Sequence, residues 1–122
     1  MKLAKTWVLR IRTRDRIKFN AIKSGRKIIE TRALGKTSSG KNFGKVAKCD
    51  WVIFVCGKNK LKREVKKVQK FQSLEEMFKK LNMEEVIPYA RNKSLRAIRA
   101  RYFTFPGYKG RIRKHGLIAF WI

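Results

Sequence analysis

Acidic residues are scarce in this sequence. Eight Asp and Glu stand against 33 Lys and Arg, which gives a formal net charge of +25 on 122 residues. Positive side chains at this density repel one another in a compact protein, and together they attract polyanions. Nucleic acid is the obvious polyanion to balance this charge. Two alternatives stay open: a solvated basic surface without a partner, and a protein that binds an acidic membrane surface. No long helix with one apolar and one basic face supports the second alternative.

Cysteine, histidine and long apolar runs are also rare. Cys49 and Cys56 lie seven residues apart on one predicted strand and point to opposite faces, so we expect two reduced, partly buried thiols. Two Cys and His115 are too few for a four-ligand zinc site within one chain, and we expect neither metal nor cofactor. No apolar run is long enough for a signal peptide or a membrane span. The expectation is one cytoplasmic domain over residues 1–122.

The few acids are unevenly distributed. Half of them, Glu75, Glu76, Glu84 and Glu85, fall between residues 75 and 85, and none follows, against nine Lys and Arg in residues 86–122. The positive field is therefore lopsided. We expect the helix that carries these glutamates to face away from any RNA.

Hydrophobic periodicity predicts an α+β protein. Strands are expected over residues 6–13, 28–33, 51–56, 61–71 and 117–122, with 51–56 buried on both faces and 117–122 also buried. Helices are expected over residues 15–24, 73–82 and 95–103, the last two capped by Ser73 and Ser94. Residues 35–48 form a loop by composition, and residues 103–114 form a turn-rich segment. Inward-facing positions include Ile17, Phe19, Ile22, Leu95, Ile98 and Tyr102.

Residues 22–32 concentrate ionisable side chains where a short helix ends and a strand begins. Gly25 suits the left-handed cap of that helix, and Ile28 and Ile29 favour a strand. Strand parity places Glu30 and Arg32 on one face and Lys27 on the other, unless Lys27 lies in the turn before the strand, which is the position we expect. Three interpretations stay open: a structural ion-pair network, a ligand site in which Glu30 accepts from a base edge and the cations contact phosphate, and a catalytic site.

Basic residues dominate several segments that we expect to be exposed, and Tyr108 adds a ring among them. Rings that stack on bases and cations that contact phosphates are what single-stranded RNA binding uses. Plain solvated loops, a packed aromatic loop and protection of a strand edge are the structural alternatives. The predicted RNA-binding residues are Lys27, Glu30, Arg32, Lys36, Lys41, Lys45, Lys66, Lys67, Arg96, Arg99, Tyr108, Lys109, Arg111, Arg113 and Lys114.

The spacing Gly-x-Lys-x-x-Glu-x-Arg, from Gly25 to Arg32, resembles the signature of the ASCH domain, a relative of the PUA family of small RNA-associated β-barrels. Four further segments resemble the family in the same order: residues 50–54, 68–77, 86–88 and 114–119. Cys49 stands where the family has Gly, and His115 stands in a Tyr position. The resemblance covers nearly the whole chain.

The resemblance implies a mixed five- to six-stranded PUA-like β-barrel flanked by about three short helices. It also implies a cleft beside the barrel into which Lys27, Glu30 and Arg32 project, and RNA as the partner. Some relatives are hydrolases that deacylate N4-acylcytidine with a Lys, a Thr and a distal Glu. Lys27 matches the Lys, Glu30 replaces the Thr, and the last region has no acid to match the Glu. A ribonuclease using Lys27 and Glu30 is a second enzymatic option.

These observations favour a binding protein over an enzyme. We expect an ASCH-type protein that binds structured RNA, with ribosomal RNA as one candidate, mainly through phosphate contacts of its basic surface. The alternative is an ASCH-type hydrolase, either a ribonuclease or an N4-acylcytidine amidohydrolase, with Lys27 and Glu30 as candidate catalytic residues. His115, alone of its kind, is expected to be structural.

Overall fold

The structure, a computed structural model, describes residues 3–90 and 93–122, and within them the chain forms six strands and five helices. The strands are β1 (Thr6–Arg10), β2 (Ile29–Ala33), β3 (Trp51–Cys56), β4 (Asn59–Glu64), β5 (Lys67–Phe71) and β6 (Leu117–Trp121). The helices are α1 (Arg16–Lys23), α2 (Leu74–Lys80), α3 (Met83–Val86), α4 (Leu95–Phe103) and α5 (Tyr108–His115). In these ranges no helix combines the length and apolar character that crossing a membrane requires.

The strands form two small sheets and do not close a barrel. In the first sheet β3 is central, parallel to β1 and antiparallel to β4. In the second sheet β6 is central and antiparallel to both β2 and β5. No strand of one sheet pairs with a strand of the other in the described residues. The PUA-like barrel with about three helices is therefore wrong: the protein is α+β, with two open three-stranded sheets and five helices.

The prediction of a single strand over residues 61–71 is also wrong. The segment contains two strands, and the chain changes sheets between them. The N–H of buried Val65 donates to the Asp50 carbonyl (2.8 Å), whereas the N–H of Lys66 donates to the Trp121 carbonyl (2.8 Å). Val65 is a single buried residue between charged neighbours, so the alternation of apolar and polar residues continues through it. The sequence pattern therefore predicts one strand where the structure has β4 and β5.

Side chains of β6 alternate between two hydrophobic clusters. Ile118 and Phe120 belong to the cluster beneath the first sheet and α1, while Leu117 and Ala119 belong to the cluster beneath α2 and α4. The strand is buried on both faces, which confirms the expectation for residues 117–122. The same expectation for β3 is wrong: its burial alternates, and Trp51 is 36% exposed because one face of the first sheet meets solvent.

Local capping signals predict α2 and α4 well. The hydroxyl of Ser73 accepts from the Glu76 N–H, and that of Ser94 accepts from the Ala97 N–H, so both caps are confirmed. Leu95 lies at the start of α4 and is exposed, as is Ile17 in α1, so these two expected core contacts are wrong.

Two helices, α3 and α5, are not predicted by the sequence pattern. The short helix α3 has no expected counterpart, and α5 replaces the turn-rich segment expected over residues 103–114. Gly107 has φ 75°, which lets the chain turn into α5 just after Pro106. Ile112 is the buried anchor of this otherwise polar helix. One apolar anchor in eight residues is too weak a periodic signal to predict a helix.

Asp50 is the polar anchor of the first sheet. Its carboxylate is buried and accepts from the Lys5 N–H (2.9 Å), the Trp7 indole N–H (3.0 Å) and the Ala47 N–H (2.9 Å). These bonds connect the start of β1 to the turn that precedes β3. Buried acceptors with several donors are strongly favoured over unpaired ones.

Both cysteines are unpaired, which confirms the expected reduced thiols, although Cys49 is exposed instead of partly buried. Cys49 also has φ 75°, the only non-glycine residue in the described part of the chain with a positive φ. The left-handed region costs a residue with a β-carbon about 1–2 kcal/mol. The position is therefore one that glycine suits.

Replacing Cys49 with Gly should stabilise the protein. Relief of the backbone strain exceeds the extra entropy of glycine in the unfolded chain, which is about 0.5–1 kcal/mol, so we expect a net gain of about 0.5 kcal/mol. Urea denaturation measures the change. Cys49→Ala is the control, because it removes the thiol and keeps the β-carbon. Equal stability of the Gly and Ala variants would contradict the argument.

Candidate functional site

A pocket of about 350 Å³ opens beside β2. It is built from the turn before β2, from β2 itself, and from segments that pack against that strand: the ends of β1, α1, α3 and α4, and the entry to α5. The lining residues are Arg10, Ile11, Arg12, Asp15, Lys18, Lys27, Glu30, Thr31, Arg32, Ile87, Tyr89, Arg101, Tyr102, Phe105, Pro106 and Tyr108. We call this cavity the pocket.

Glu30 lies at the centre of a buried charge cluster. Its side chain is 1% exposed and contacts three cations: Lys18 Nζ at 2.9 Å, Arg32 Nη2 at 3.2 Å and Lys27 Nζ at 3.6 Å. Oε1 of Glu30 also accepts from the N–H of Thr31 (2.9 Å). A single carboxylate thus serves three positive groups, and the cluster carries an excess of positive charge.

Lys27 lies in the connection before β2 and not in the strand itself, as expected. Its ammonium group donates to the carbonyls of Ile29 (2.7 Å) and Val86, and it contacts Glu30. The bond to Val86 joins this turn to the end of α3. Three acceptors therefore surround the three N–H groups of Lys27, and the residue both carries charge and holds the wall of the pocket.

Burial and mutual attraction shift the pKa values in this cluster in opposite directions. Burial lowers the pKa of Lys27 to about 7, although attraction to Glu30 works against this shift. Burial also lowers the pKa of Lys18. For Glu30, burial raises the pKa, but the nearby Lys18, Lys27 and Arg32 outweigh it and hold the pKa well below its usual range. Glu30 therefore stays ionised, whereas the lysines are less firmly protonated than in water.

Aromatic rings form the opposite side of the pocket. Phe105 and Tyr108 lie with ring centroids 5.2 Å apart, and Phe105 also contacts Tyr102 edge-on. The Tyr102 hydroxyl is hydrogen-bonded to the Thr31 hydroxyl (2.6 Å). Burial raises the pKa of Tyr89 to about 12, so its hydroxyl stays neutral. The wall offers flat apolar faces with few polar groups.

Arginines border these rings. Arg12 lies over Phe105 (5.8 Å to the ring centroid), and Arg101 lies over Tyr89 (5.7 Å). Asp15 forms an ion pair with Arg12 at 2.8 Å. The pocket is lined by six basic side chains and two carboxylates. Nε of Arg32 is buried and has no hydrogen-bond partner among the described residues, so a donor remains for a ligand.

The pocket brings together four of the predicted site residues, Lys27, Glu30, Arg32 and Tyr108. Lys36 and Lys45 lie instead in a second, open cavity at the end of β2. Lys41 lies over the Phe43 ring and donates to the Val8 carbonyl (2.8 Å).

The other predicted residues line neither cavity. Arg99 pairs with Glu75 on α2 at 2.7 Å, so its charge is already engaged. Lys67 lies over the Trp121 ring, and Arg111 lies over the Tyr108 ring. The rest lie just before β5, on α4 and on α5: Lys66, Arg96, Lys109, Arg113 and Lys114.

Sequence reasoning missed several residues of the pocket, above all Lys18, Thr31, Tyr89 and Arg101. Lys18 could have been placed from the sequence. It lies three residues after Asp15 and four before Ile22, and this spacing puts it on one face of α1 with them. Tyr102 was expected in the core, and it is buried, but its hydroxyl reaches β2. Tyr89 and Arg101 come from distant segments, and nothing local marks them.

No group of three or more His, Cys, Asp or Glu that could hold a metal is present in the parts of the chain described. The arrangement instead favours an anionic ligand with a planar, apolar portion. Cations and the unpartnered Arg32 donor suit the anion, and the aromatic rings suit the planar portion.

The fold and site together define an α+β protein with a cationic, aromatic-walled pocket. No family model matches the chain, and no curated protein matches it. Two solved structures are similar over nearly the whole length. The hypothetical protein PH0355 is 28% identical over 95% of each chain, with a TM-score of 0.74. Protein PF0455 from Pyrococcus furiosus is 22% identical over 95% of this chain and 94% of that one, with a TM-score of 0.63.

Proposed function

We propose that this protein binds RNA and accepts one nucleotide in the pocket, while the surrounding basic residues contact neighbouring phosphates. The observation that carries the proposal is the excess of buried and partly buried cations in a cavity that is also lined by aromatic rings. Lys18, Lys27 and Arg32 share the single carboxylate of Glu30, and they leave positive charge for a ligand to neutralise.

The shape and chemistry of the pocket suit a nucleotide better than a simple anion. Its volume of about 350 Å³ lies in the usual range for small-molecule sites, about 300–1,000 Å³. Phe105 and Tyr108 offer faces on which a base can stack, and Arg32 offers a free donor for a phosphate or a base edge. A net charge of +25 supplies the long-range attraction.

The ASCH resemblance supports the same proposal at the level of individual positions. The three ionisable residues of the motif line the pocket, and Cys49, where the family has Gly, has a backbone conformation that glycine suits. We therefore propose an ASCH-like protein, without the closed barrel. Lys36, Lys45 and the basic residues around the pocket are proposed phosphate contacts. Arg99 is the weakest of the predicted contacts because Glu75 engages it.

A hydrolase is the second candidate, and the pKa of Lys27 near 7 favours it. A lysine that is partly neutral at physiological pH can act as a base or a nucleophile. Against this, the Lys27 ammonium donates to two backbone carbonyls, and both Glu30 oxygens are engaged by cations or by the Thr31 N–H. These contacts favour a positioning role in binding.

Fluorescence anisotropy with a labelled single-stranded RNA octanucleotide tests the proposal. If six phosphates are neutralised, log affinity should fall with log salt with a slope of about −4. An unlabelled 5′-mononucleotide should compete, and the matching nucleoside should compete much more weakly. DNA of the same sequence tests the contribution of the 2′-hydroxyl. Acid released from N4-acylcytidine, or shortened RNA, in the same mixtures would instead support the hydrolase.

Arg32→Gln should weaken octanucleotide binding by about 10- to 100-fold, the effect of losing a hydrogen bond to a charged group. Lys79→Gln, an exposed change on α2 that removes the same charge, is the matched control and should have a small effect. Circular dichroism checks that both variants fold. Equal losses in the two variants, or equal binding of heparin and RNA with no competition by the mononucleotide, would contradict a nucleotide pocket.

A further inference from the structure

A second cavity lies at the end of β2, separate from the pocket, and all of its ionisable lining residues are basic. It is lined by Leu34, Gly35, Lys36, Asn42, Gly44, Lys45, Lys70 and His115. Three lysines and the single histidine of the sequence border it, and no acidic side chain does. We call this cavity the lysine groove.

The four basic side chains reach the lysine groove from separate parts of the chain. Lys36 follows β2, Lys45 ends a 3-10 turn over Phe43–Lys45, Lys70 lies in β5, and His115 ends α5. The like charges of Lys36, Lys45 and Lys70 come from three of these segments and repel one another, so their convergence costs free energy unless an anion offsets it. A charge run on one exposed segment would need no such explanation.

Two glycines shape the floor of the lysine groove. Gly35 has φ 90°, and a β-carbon there would lie 2.6 Å from Cδ2 of His115. A β-carbon on Gly44 would lie 3.0 Å from Oδ1 of Asn42 and 3.2 Å from Leu34. The absence of a side chain at Gly35 therefore lets the His115 ring pack directly on the backbone beside Lys36. This packing positions His115 at the edge of the groove.

Contacts of Arg32 and Lys41 with the Phe43 ring connect the two cavities. Arg32 lines the pocket and lies over Phe43 (5.4 Å to the ring centroid), and Lys41 lies over the same ring (5.7 Å). Phe43 belongs to the turn that also carries Gly44 and Lys45 of the lysine groove. Along the strand, Arg32 and Lys36 are separated by at most about 13 Å, at about 3.3 Å per residue. About four stacked nucleotides, or fewer extended ones, cover that distance.

We propose that the lysine groove binds a backbone phosphate of the same RNA strand whose nucleotide occupies the pocket. Lys36, Lys70 and His115 contact this phosphate, and Lys41 lies along the path of the strand between the two cavities. This inference rests on the proposed function, and it adds a second site with Lys70 and His115, which the motif does not include. The protein then recognises a strand of a few nucleotides in a defined direction, not only a single nucleotide.

His115 provides a direct spectroscopic reporter because it is the only histidine in the chain. NMR signals of its ring can be followed during titration with a 5′-mononucleotide and with an RNA octanucleotide. The mononucleotide should shift signals of Tyr108 in the pocket and leave His115 unchanged, whereas the octanucleotide should shift both. An octanucleotide that binds without shifting His115 would overturn the proposal.

Charge removal provides an independent test. The double variant Lys36→Gln and Lys70→Gln should bind the mononucleotide within about twofold of the parent, because the pocket is intact. It should bind the octanucleotide roughly tenfold more weakly, the effect of one lost contact to a charged group. Loss of one phosphate contact should also reduce the magnitude of the salt slope by about 0.7. The matched control is Lys60→Gln with Lys79→Gln, which removes the same charge outside both cavities.

The outcomes separate the two proposals. Equal losses in the groove and control variants would overturn the lysine groove and leave the pocket in place. Octanucleotide binding that shifts His115 and depends on the groove, without any mononucleotide binding, would support the groove and contradict the nucleotide pocket. No binding of RNA by the parent protein would overturn both.

Discussion

Glu30→Gln is expected to lower the free energy of unfolding by about 3–5 kcal/mol, the usual cost of breaking a buried ion pair. The change is nearly isosteric, so packing stays the same and the loss is electrostatic. Lys18, Lys27 and Arg32 would remain close together without the carboxylate that holds them. Urea denaturation followed by circular dichroism measures the difference.

Glu64→Gln is the matched control for this prediction. It makes the same chemical change on β4, where Glu64 is exposed, and should alter stability by no more than about 0.5 kcal/mol. A loss below about 1 kcal/mol in Glu30→Gln would mean that the cluster does not need its carboxylate. Inorganic phosphate should raise the melting temperature of Glu30→Gln more than that of the parent, because the variant leaves more positive charge unneutralised.

The pH dependence of stability gives a second check on the same cluster. The pKa of Glu30 is held well below its usual range by the three cations, so below about pH 5 the unfolded chain binds more protons than the folded one. Stability should therefore fall as the pH falls through this window, and Glu30→Gln should lose that part of the profile. Lys27, with its pKa lowered to about 7, makes stability rise with pH between about 7 and 10.5, because only the unfolded chain keeps the proton.

Local signals in the sequence predict local structure well. The Ser73 and Ser94 caps, the turn position of Lys27 and the buried strand β6 each depend on residues within a few positions of one another, and each is confirmed. The barrel is wrong because it depends on which strands pair at a distance. The switch of sheets at Val65 and Lys66 is decided by bonds to Asp50 and Trp121, which are remote in sequence.

The residues of the pocket also divide into those that are close in sequence and those that only the fold brings together. Lys27, Glu30 and Arg32 are close in sequence and could be predicted as one cluster, whereas Lys18 in α1, Tyr89 in the 3-10 turn Pro88–Ala90 and Arg101 in α4 reach the pocket only through tertiary packing. Tyr108, predicted as an aromatic ring among cations, lines the pocket, but it lies in a helix instead of the expected turn-rich segment. The surface lysines could not be ranked from sequence, because only the fold separates Lys36 and Lys45 in the groove from Arg99, which pairs with Glu75.

Two acidic residues, Glu30 and Asp50, are buried, and they have different roles. Glu30 contacts cations that line a pocket, whereas the contacts of Asp50 include three N–H donors from the ends and turns of the first sheet. A ligand that carries negative charge can partly replace Glu30. It cannot replace Asp50 in the same way, because Asp50 lines neither the pocket nor the lysine groove.

Asp50→Ala should therefore destabilise the protein by about 3–5 kcal/mol, since three N–H donors in part-buried bonds lose their acceptor at about 1–3 kcal/mol each and some find water. Asp50→Asn, which keeps one acceptor oxygen, should lose less. Thermal and urea unfolding measure both changes, and a loss under about 1 kcal/mol in Asp50→Ala would contradict the role of Asp50 as an anchor. Inorganic phosphate should stabilise Asp50→Ala no more than the parent, in contrast to Glu30→Gln. Equal rescue of both variants would mean that the anion acts on the overall charge of the protein, and the assignment of a specific anion site to the pocket would then fail.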